Sequence, residues 1–346
     1  MAEFTLQEHL LALSDPPLYQ ISAELDIPSL RTSSIDSSLS SAIEEIAGDP
    51  ESIVNSSPST FDVFRSILKH ADQPNVDSGI LTKLLDVIVS GLSYHSSTVM
   101  AIVNGQGFGA EADMDAPMVH KQPLEMWAFL LQWFVNAAER GAGKTNDEPR
   151  QAMTGRGKKK TTKTAGGAGI STSFVFSDHL PLVLGTMHKT LRIPTSRLWR
   201  TSSEREAFIS CFVKPAYQLA ETEAYLKISE VRLGIFKVIC LAVKFHQHAF
   251  GAQTSIMQNL TYFEHLSEPM AELLAILEKE FDFSQLGEEV LRDVAGKSFA
   301  HNDAKGPRSF SRFLVRLTEL SPRMVQKQMP LLLAHLDSDV GPLVTL

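Results

Sequence analysis

Between Leu286 and Leu336 the chain repeats one pattern: an apolar stripe at helical spacing, a few polar residues, then another stripe. Phe310, Phe313, Leu314 and Leu317 stand at i, i+3, i+4 and i+7, a spacing that gathers them on one helix face and breaks strand alternation. Their helix opens near Pro307, where a missing N–H costs nothing because first-turn donors have no partner inside a helix. Before it, a helix over Leu286–Ala300 gives way at His301-Asn302-Asp303. After it, Ser321-Pro322 supplies an N-cap followed by proline and opens a third helix. Connections this short make successive helices antiparallel neighbours, each covering the other's stripe.

The rest of the chain reads the same way. Phe61–His70 aligns Phe61, Phe64, Ile67 and Leu68; Ile80–Tyr94 aligns Leu81, Leu84, Leu85 and Ile88. Pro123–Arg140 buries Trp127, Leu130, Leu131, Phe134 and Val135. Further helices are expected over Asp178–Thr190, Ser203–Lys227, Glu230–Phe250, Thr254–Leu266 and Pro269–Phe281. Nothing alternates as a strand does, so the fold class is all-α. A short helix over Leu6–Leu13 stops before Asp15-Pro16-Pro17. The serines at 33, 34, 37, 38, 40 and 41 make either a solvated helix or a loose connector, and Gly105–Asp115 reads as a loop. From Gly141 to Ser173, Gly, Lys and Thr replace the large apolar residues, and such a segment cannot offset its ordering entropy; it reads as disordered or as a long loop. The expected divisions are 1–60 (short helix and extended chain), 61–140 (helical), 141–173 (basic loop), 174–340 (helical repeats) and 341–346 (an atypical tail).

Composition bounds the function. Hydrophobic residues make up 43% of the chain, ample for a core, and the net charge of −8 confines any nucleic-acid contact to a local patch. Cys211 and Cys240 both sit in apolar helical contexts and read as reduced core residues. The N-terminus lacks a signal peptide's basic region and cleavage site. The most apolar run, Leu233–Val243, is interrupted by Lys237 and stopped by Lys244, too short to span a bilayer. A soluble cytoplasmic or nuclear protein is expected.

Candidate chemistry is sparse. Gly141-Ala142-Gly143-Lys144-Thr145 resembles part of a phosphate loop, but the required first glycine is Ala138, and a helix rather than a strand precedes it. Arg156, Lys158, Lys159, Lys160 and Lys163 place five positive charges in eight residues with no acid. Such a tract binds phosphate backbones by counterion release, serves as a nuclear-import signal, or merely keeps a linker solvated; with no aromatic residue it offers electrostatics alone. His246 and His248 are two apart and point to different faces, and His265 and His301 are isolated, so no metal site is expected. Glu278, Glu280, Glu288 and Glu289 read as solvated faces, and Ser57-Pro58 as a candidate proline-directed phosphorylation site.

Two resemblances sharpen this. Met329-Pro330-Leu331-Leu332-Leu333 followed by Leu336-Asp337-Ser338-Asp339-Val340 resembles the first helix of a HEAT repeat, whose units stack into a solenoid because no single pair buries its own apolar face. The stretch Ser298-Phe299-Ala300-His301-Asn302-Asp303, with Gly306-Pro307-Arg308-Ser309-Phe310-Ser311-Arg312-Phe313-Leu314 and Glu319-Leu320-Ser321-Pro322, resembles the N-terminal region of the condensin complex subunit 1 family, and Phe4–Leu30 resembles its fungal members. The resemblance implies a HEAT-repeat α-solenoid and a non-enzymatic regulatory role without cofactor. It implies docking on a kleisin and on SMC ATPase heads, in the nucleus and on mitotic chromosomes with a cytoplasmic pool, and no membrane or small-molecule substrate. The alternative is a general helical-repeat adaptor for nuclear transport or a phosphatase. One departure stands out: after Val340 the sequence turns to Gly341-Pro342 instead of a second helix, which suggests a truncated form.

Overall fold

The computed structural model describes residues 32–48, 77–105, 116–145, 176–246, 251–297 and 305–333. Among them run thirteen α-helices and no strand. They are α1 (Thr32–Gly48), α2 (Ser78–Val103), α3 (Lys121–Thr145), α4 (Leu180–Thr190), α5 (Thr195–Leu198), α6 (Ser202–Glu221) and α7 (Glu223–Lys227), then α8 (Ser229–Phe245), α9 (Ala252–Tyr262), α10 (Ser267–Phe281), α11 (Gln285–Gly296), α12 (Lys305–Leu320) and α13 (Pro322–Leu333).

The helices stack in two rows. Along one, α2 packs on α4, α4 on α8, α8 on α10 and α10 on α12. In the other, α3 packs on α6, and α9, α11 and α13 follow one another. Pairs such as α2 with α3, α6 with α8 and α12 with α13 join the rows, and α1 covers α2. This is the architecture of a HEAT-like α-solenoid: each helix meets its pair mate and its counterpart in the next unit.

Among the described residues, most of the predicted face positions are buried. Trp127, Leu130, Leu131, Phe134 and Val135 of α3 are sealed in the core, as are Phe310, Phe313, Leu314 and Leu317 of α12. Burying a side chain of that size stabilises the fold by about 1.5–3 kcal/mol. On α2, Leu84, Leu85 and Ile88 are buried while Leu81 is half-buried, and the stripe continues to Leu92 and Val99. The rows close tightly at Gly91, where an added Cβ would fall 2.2 Å from the Trp127 ring of α3.

The ends of several elements differ from the sequence reading. The serine-rich stretch is helical: Leu39, Ala42, Ile43 and Ile46 on its C-terminal half pack into the core and outweigh the serines. Helix α2 runs on to Val103 and stops where Gly105 takes a left-handed φ of 71°, the usual terminator. Helix α3 continues to Thr145 and takes in the first five residues of the expected basic loop, Gly141–Thr145. The helix expected over Ser203–Lys227 is two, divided by an extended Thr222 that turns Tyr225 and Leu226 into the core. Helix α8 ends at Phe245, five residues before the expected Phe250; α9 stops at Tyr262, with a separate 3-10 turn over Glu264–Leu266; α11 ends at Gly296 and α12 opens at Lys305. Pro330 lies inside α13, as the mid-proline of the HEAT pattern requires. Leu6–Leu13, Phe61–His70 and the tail 341–346 fall outside the described residues.

Candidate partner-binding surface

Where it is described, the stretch that carries the resemblance is chiefly a packing device. Phe310 and Phe313 fill the core, Gly306 is buried, and Ser309 is buried with its hydroxyl 2.7 Å from both the Ser267 hydroxyl and the Leu260 carbonyl. One serine thus fixes α12 against the end of α9 and the start of α10. Pro307 is half-buried, and Arg308, Arg312 and Glu319 are exposed. Phe299, His301, Asn302 and Asp303 lie outside the described residues, as do Arg156, Lys158, Lys159, Lys160 and Lys163 of the basic tract and Ser57-Pro58.

Polar contacts tie consecutive helices of the first row. Glu272 on α10 meets Arg316 of α12 at 3.2 Å and Arg232 of α8 at 3.4 Å, and Arg316 also reaches Glu319 at 3.0 Å. Arg312 pairs with Glu264 at 3.0 Å. In the second row, Lys121 donates to Glu204 at 2.9 Å and Trp199 donates its indole N–H to Glu125 at 2.6 Å, while Thr201 and Glu204 form a capping box on α6. The Lys121 ammonium, helped by the Thr201 hydroxyl, holds the Glu204 carboxyl down to about 2. The partners that join different elements lie tens of residues apart in sequence, so no local pattern reveals them, whereas Arg316–Glu319 and the Thr201–Glu204 box are local.

A cleft of about 1030 Å³ opens where the C-terminal ends of α4, α8 and α10 meet the start of α6. Its floor is apolar, with Ile193, Ile209 and Leu241, and its rim carries Arg192, Arg205 and Lys244 against Glu206 and Glu280. Phe245 stands on that rim 64% exposed, an unusual position for a phenyl ring. Both cleft histidines are held below their ordinary range, first by burial; Arg192 and Lys237 then act on His188, and Arg205 on His246. His246 also lies 3.4 Å from both the Thr195 hydroxyl and the Leu191 carbonyl, so it serves the packing of α8 on α5. Sequence reading missed this cleft; its one local sign is Phe245 beside Lys244 and His246 at a helix end.

A second histidine pair lies elsewhere. His95 of α2 faces His120 with Nδ1 atoms 2.9 Å apart, and burial, then the His120 charge, bring His95 to about 4. Among the described residues no three His, Cys, Asp or Glu side chains are grouped to hold a metal. Cys211 and Cys240 are buried, and burial pushes both thiols up, away from the reactive thiolate. Gly141–Thr145 lies in α3, and helical backbone does not wrap a phosphate. No described helix is long and apolar enough to cross a membrane. What the described surface offers is length, an ion-paired row of helices and one apolar-floored cleft, which suits binding.

Comparison with known proteins places the chain. Residues 78–252 match the profile of the non-SMC mitotic condensation complex subunit 1, N-terminal region. The chain belongs to this family. Condensin complex subunit 1 of Schizosaccharomyces pombe is 34% identical over 266 residues, 77% of this chain and 22% of the relative. The Saccharomyces cerevisiae subunit is 28% identical over 98% of this chain and 27% of its own length, and the human one 26% identical over 81% and 19%. The chain thus spans about a quarter of the length of these relatives, or less. The matched window runs from the start of α2 to the start of α9 and takes in the His95–His120 pair and the cleft lining other than Glu280 and Phe281 of α10. The budding-yeast alignment covers nearly the whole chain, so the stretch Phe299–Phe313 lies inside it as well.

Proposed function

We propose that the chain acts as a non-catalytic scaffold within the condensin complex, docking on a kleisin and on an SMC ATPase head and so contributing to mitotic chromosome condensation in the nucleus. The observation that carries this reading is the family match across residues 78–252. Architecture supports it: stacked helix pairs present long side surfaces to extended partners without a catalytic constellation. On this reading ATP hydrolysis belongs to the SMC partners. The basic tract Arg156–Lys163 supplies a local phosphate-backbone contact on a chain that is otherwise acidic.

The test is to tag the chain in its own cells and identify what co-purifies in mitosis. Two SMC ATPases and a kleisin are expected. Recovery of importins or a phosphatase without them would overturn the reading in favour of a general helical-repeat adaptor.

A further inference from the structure

We propose that the chain's own N-terminal segment, Met1–Leu30, docks in the cleft between α4, α6, α8 and α10, its carboxylates meeting Arg192 and Lys244 and its apolar side chains covering Phe245. The cleft has an apolar floor and a rim on which three cations stand against two carboxylates. Arg192 is exposed and makes no side-chain hydrogen bond or ion pair among the described residues. Lys244 points at no carboxylate: its ammonium reaches the Asp282 carbonyl at 3.5 Å and sits 5.5 Å from the Phe283 ring. Arg192 and Arg205 stand on this rim beside His188 and His246, facing Glu206 and Glu280.

The segment carries the opposite charge. Residues 1–30 contain five acids, Glu3, Glu8, Asp15, Glu24 and Asp26, and neither lysine nor arginine. Within it, Ala23-Glu24-Leu25-Asp26-Ile27 alternates apolar and acidic residues between Pro17 and Pro28. In an extended chain that alternation puts both carboxylates on one side and the apolar side chains on the other, which matches a cleft with an apolar floor and a cationic rim. Reach is not limiting. Helix α1 begins at Thr32 and packs on α2, and α2 carries Met100 of the cleft wall near its C-terminal end. The 26 residues of α2 span about 39 Å, whereas the thirty of Met1–Leu30 extend to about 100 Å.

The test uses the full chain and a zero-length carbodiimide, which joins an amine to a carboxylate in direct contact. Peptide mapping is expected to find Lys244 joined to one of the five acids, Glu24 or Asp26 foremost, and far above the exposed Lys83 of α2 as a control. Arg192→Glu, on an exposed side chain, should cut that yield several-fold while leaving the helical circular dichroism unchanged, and Phe245→Asp should do the same. Mixing isotopically heavy and light chains must return only same-chain links. Lys244 joined to Glu206 or Glu280 alone, links mostly between copies, or a Lys83 yield equal to that of Lys244 would each overturn the proposal.

Discussion

Arg316 Nη2 lies 3.2 Å from Glu272 Oε1, and the other oxygen of that carboxylate lies 3.4 Å from Arg232 Nε, so one acid is shared by three consecutive helices of the same row. The Arg316 contact is a hydrogen bond; Arg232 Nε makes none, and its attraction is electrostatic alone. All three side chains are partly exposed, which sets the scale at a few tenths to 1 kcal/mol per pair. Glu272→Gln keeps the shape and removes both ionic contacts. Its expected cost is about 1 kcal/mol, a fall of about 2–4 °C in Tm. Thermal melts in low and high salt check this: the gap between the variant and the natural chain should narrow as salt rises.

Gly91 and Trp127 set the spacing of α2 and α3. A Cβ at position 91 would sit 2.2 Å from Cε2 of an indole that is fully buried and has no room to turn. Gly91→Ala should therefore cost about 1–3 kcal/mol, the usual price of overpacking. Gly185 on α4 is exposed, with no atom within 4 Å of the added carbon, so Gly185→Ala should stabilise by up to about 1 kcal/mol through helix propensity alone. Urea unfolding of the two variants should move the midpoint in opposite directions. If Gly91→Ala were silent, the close approach of the two rows at this point would be wrong.

Two groups make stability depend on acidity in separate windows. His95 falls from 6.5 to about 4 in the fold, so the folded state resists a proton that the unfolded chain accepts. Its contribution is present above pH 6.5 and is lost as pH falls toward 4, on the order of 2 kcal/mol in all. Glu204 falls from 4.5 to about 2, so what its bonds to Lys121 and Thr201 contribute is present above pH 4.5 and lost as pH falls toward 2. His95→Asn should flatten the stability profile between pH 6.5 and 4. Glu204→Gln should instead lower the plateau at neutral pH and converge on the natural chain as pH falls toward 2. Denaturant midpoints at half-unit pH steps separate the two.

What the sequence disclosed follows from the range of the forces involved. The stripe of Phe310, Phe313, Leu314 and Leu317 was legible because helix period and burial act over neighbouring residues, and the two-row stack follows from short connections. The serine-rich start of α1 was ambiguous because its serines say nothing about the core that Leu39 and Ile46 find on α2. The break at Thr222 carries no proline or glycine, since it answers to the pocket that receives Tyr225 and Leu226. The Glu272 network and the cleft were invisible because their parts come together only when distant helices stack. The stretch that carries the resemblance is mostly core where it is described, which leaves Arg308, Arg312 and Glu319 as its exposed charged members among the described residues.

The basic tract makes a prediction whose slope, more than its affinity, is diagnostic. Arg156, Lys158, Lys159, Lys160 and Lys163 are five charges on a chain of net charge −8, so non-specific attraction of DNA to the chain as a whole is disfavoured and any binding must be local. Each phosphate neutralised on duplex DNA steepens the fall of log K with log salt by about 0.9. Replacing Lys158, Lys159 and Lys160 together with glutamine should therefore flatten that slope by about 2.5–3 and weaken binding alike on every sequence. Fluorescence anisotropy of a labelled duplex, titrated with the full chain between low and physiological salt, reads both quantities. Equal slopes for the natural and substituted chains would show that these lysines serve only to solvate the segment, and the DNA contact proposed for it would fall.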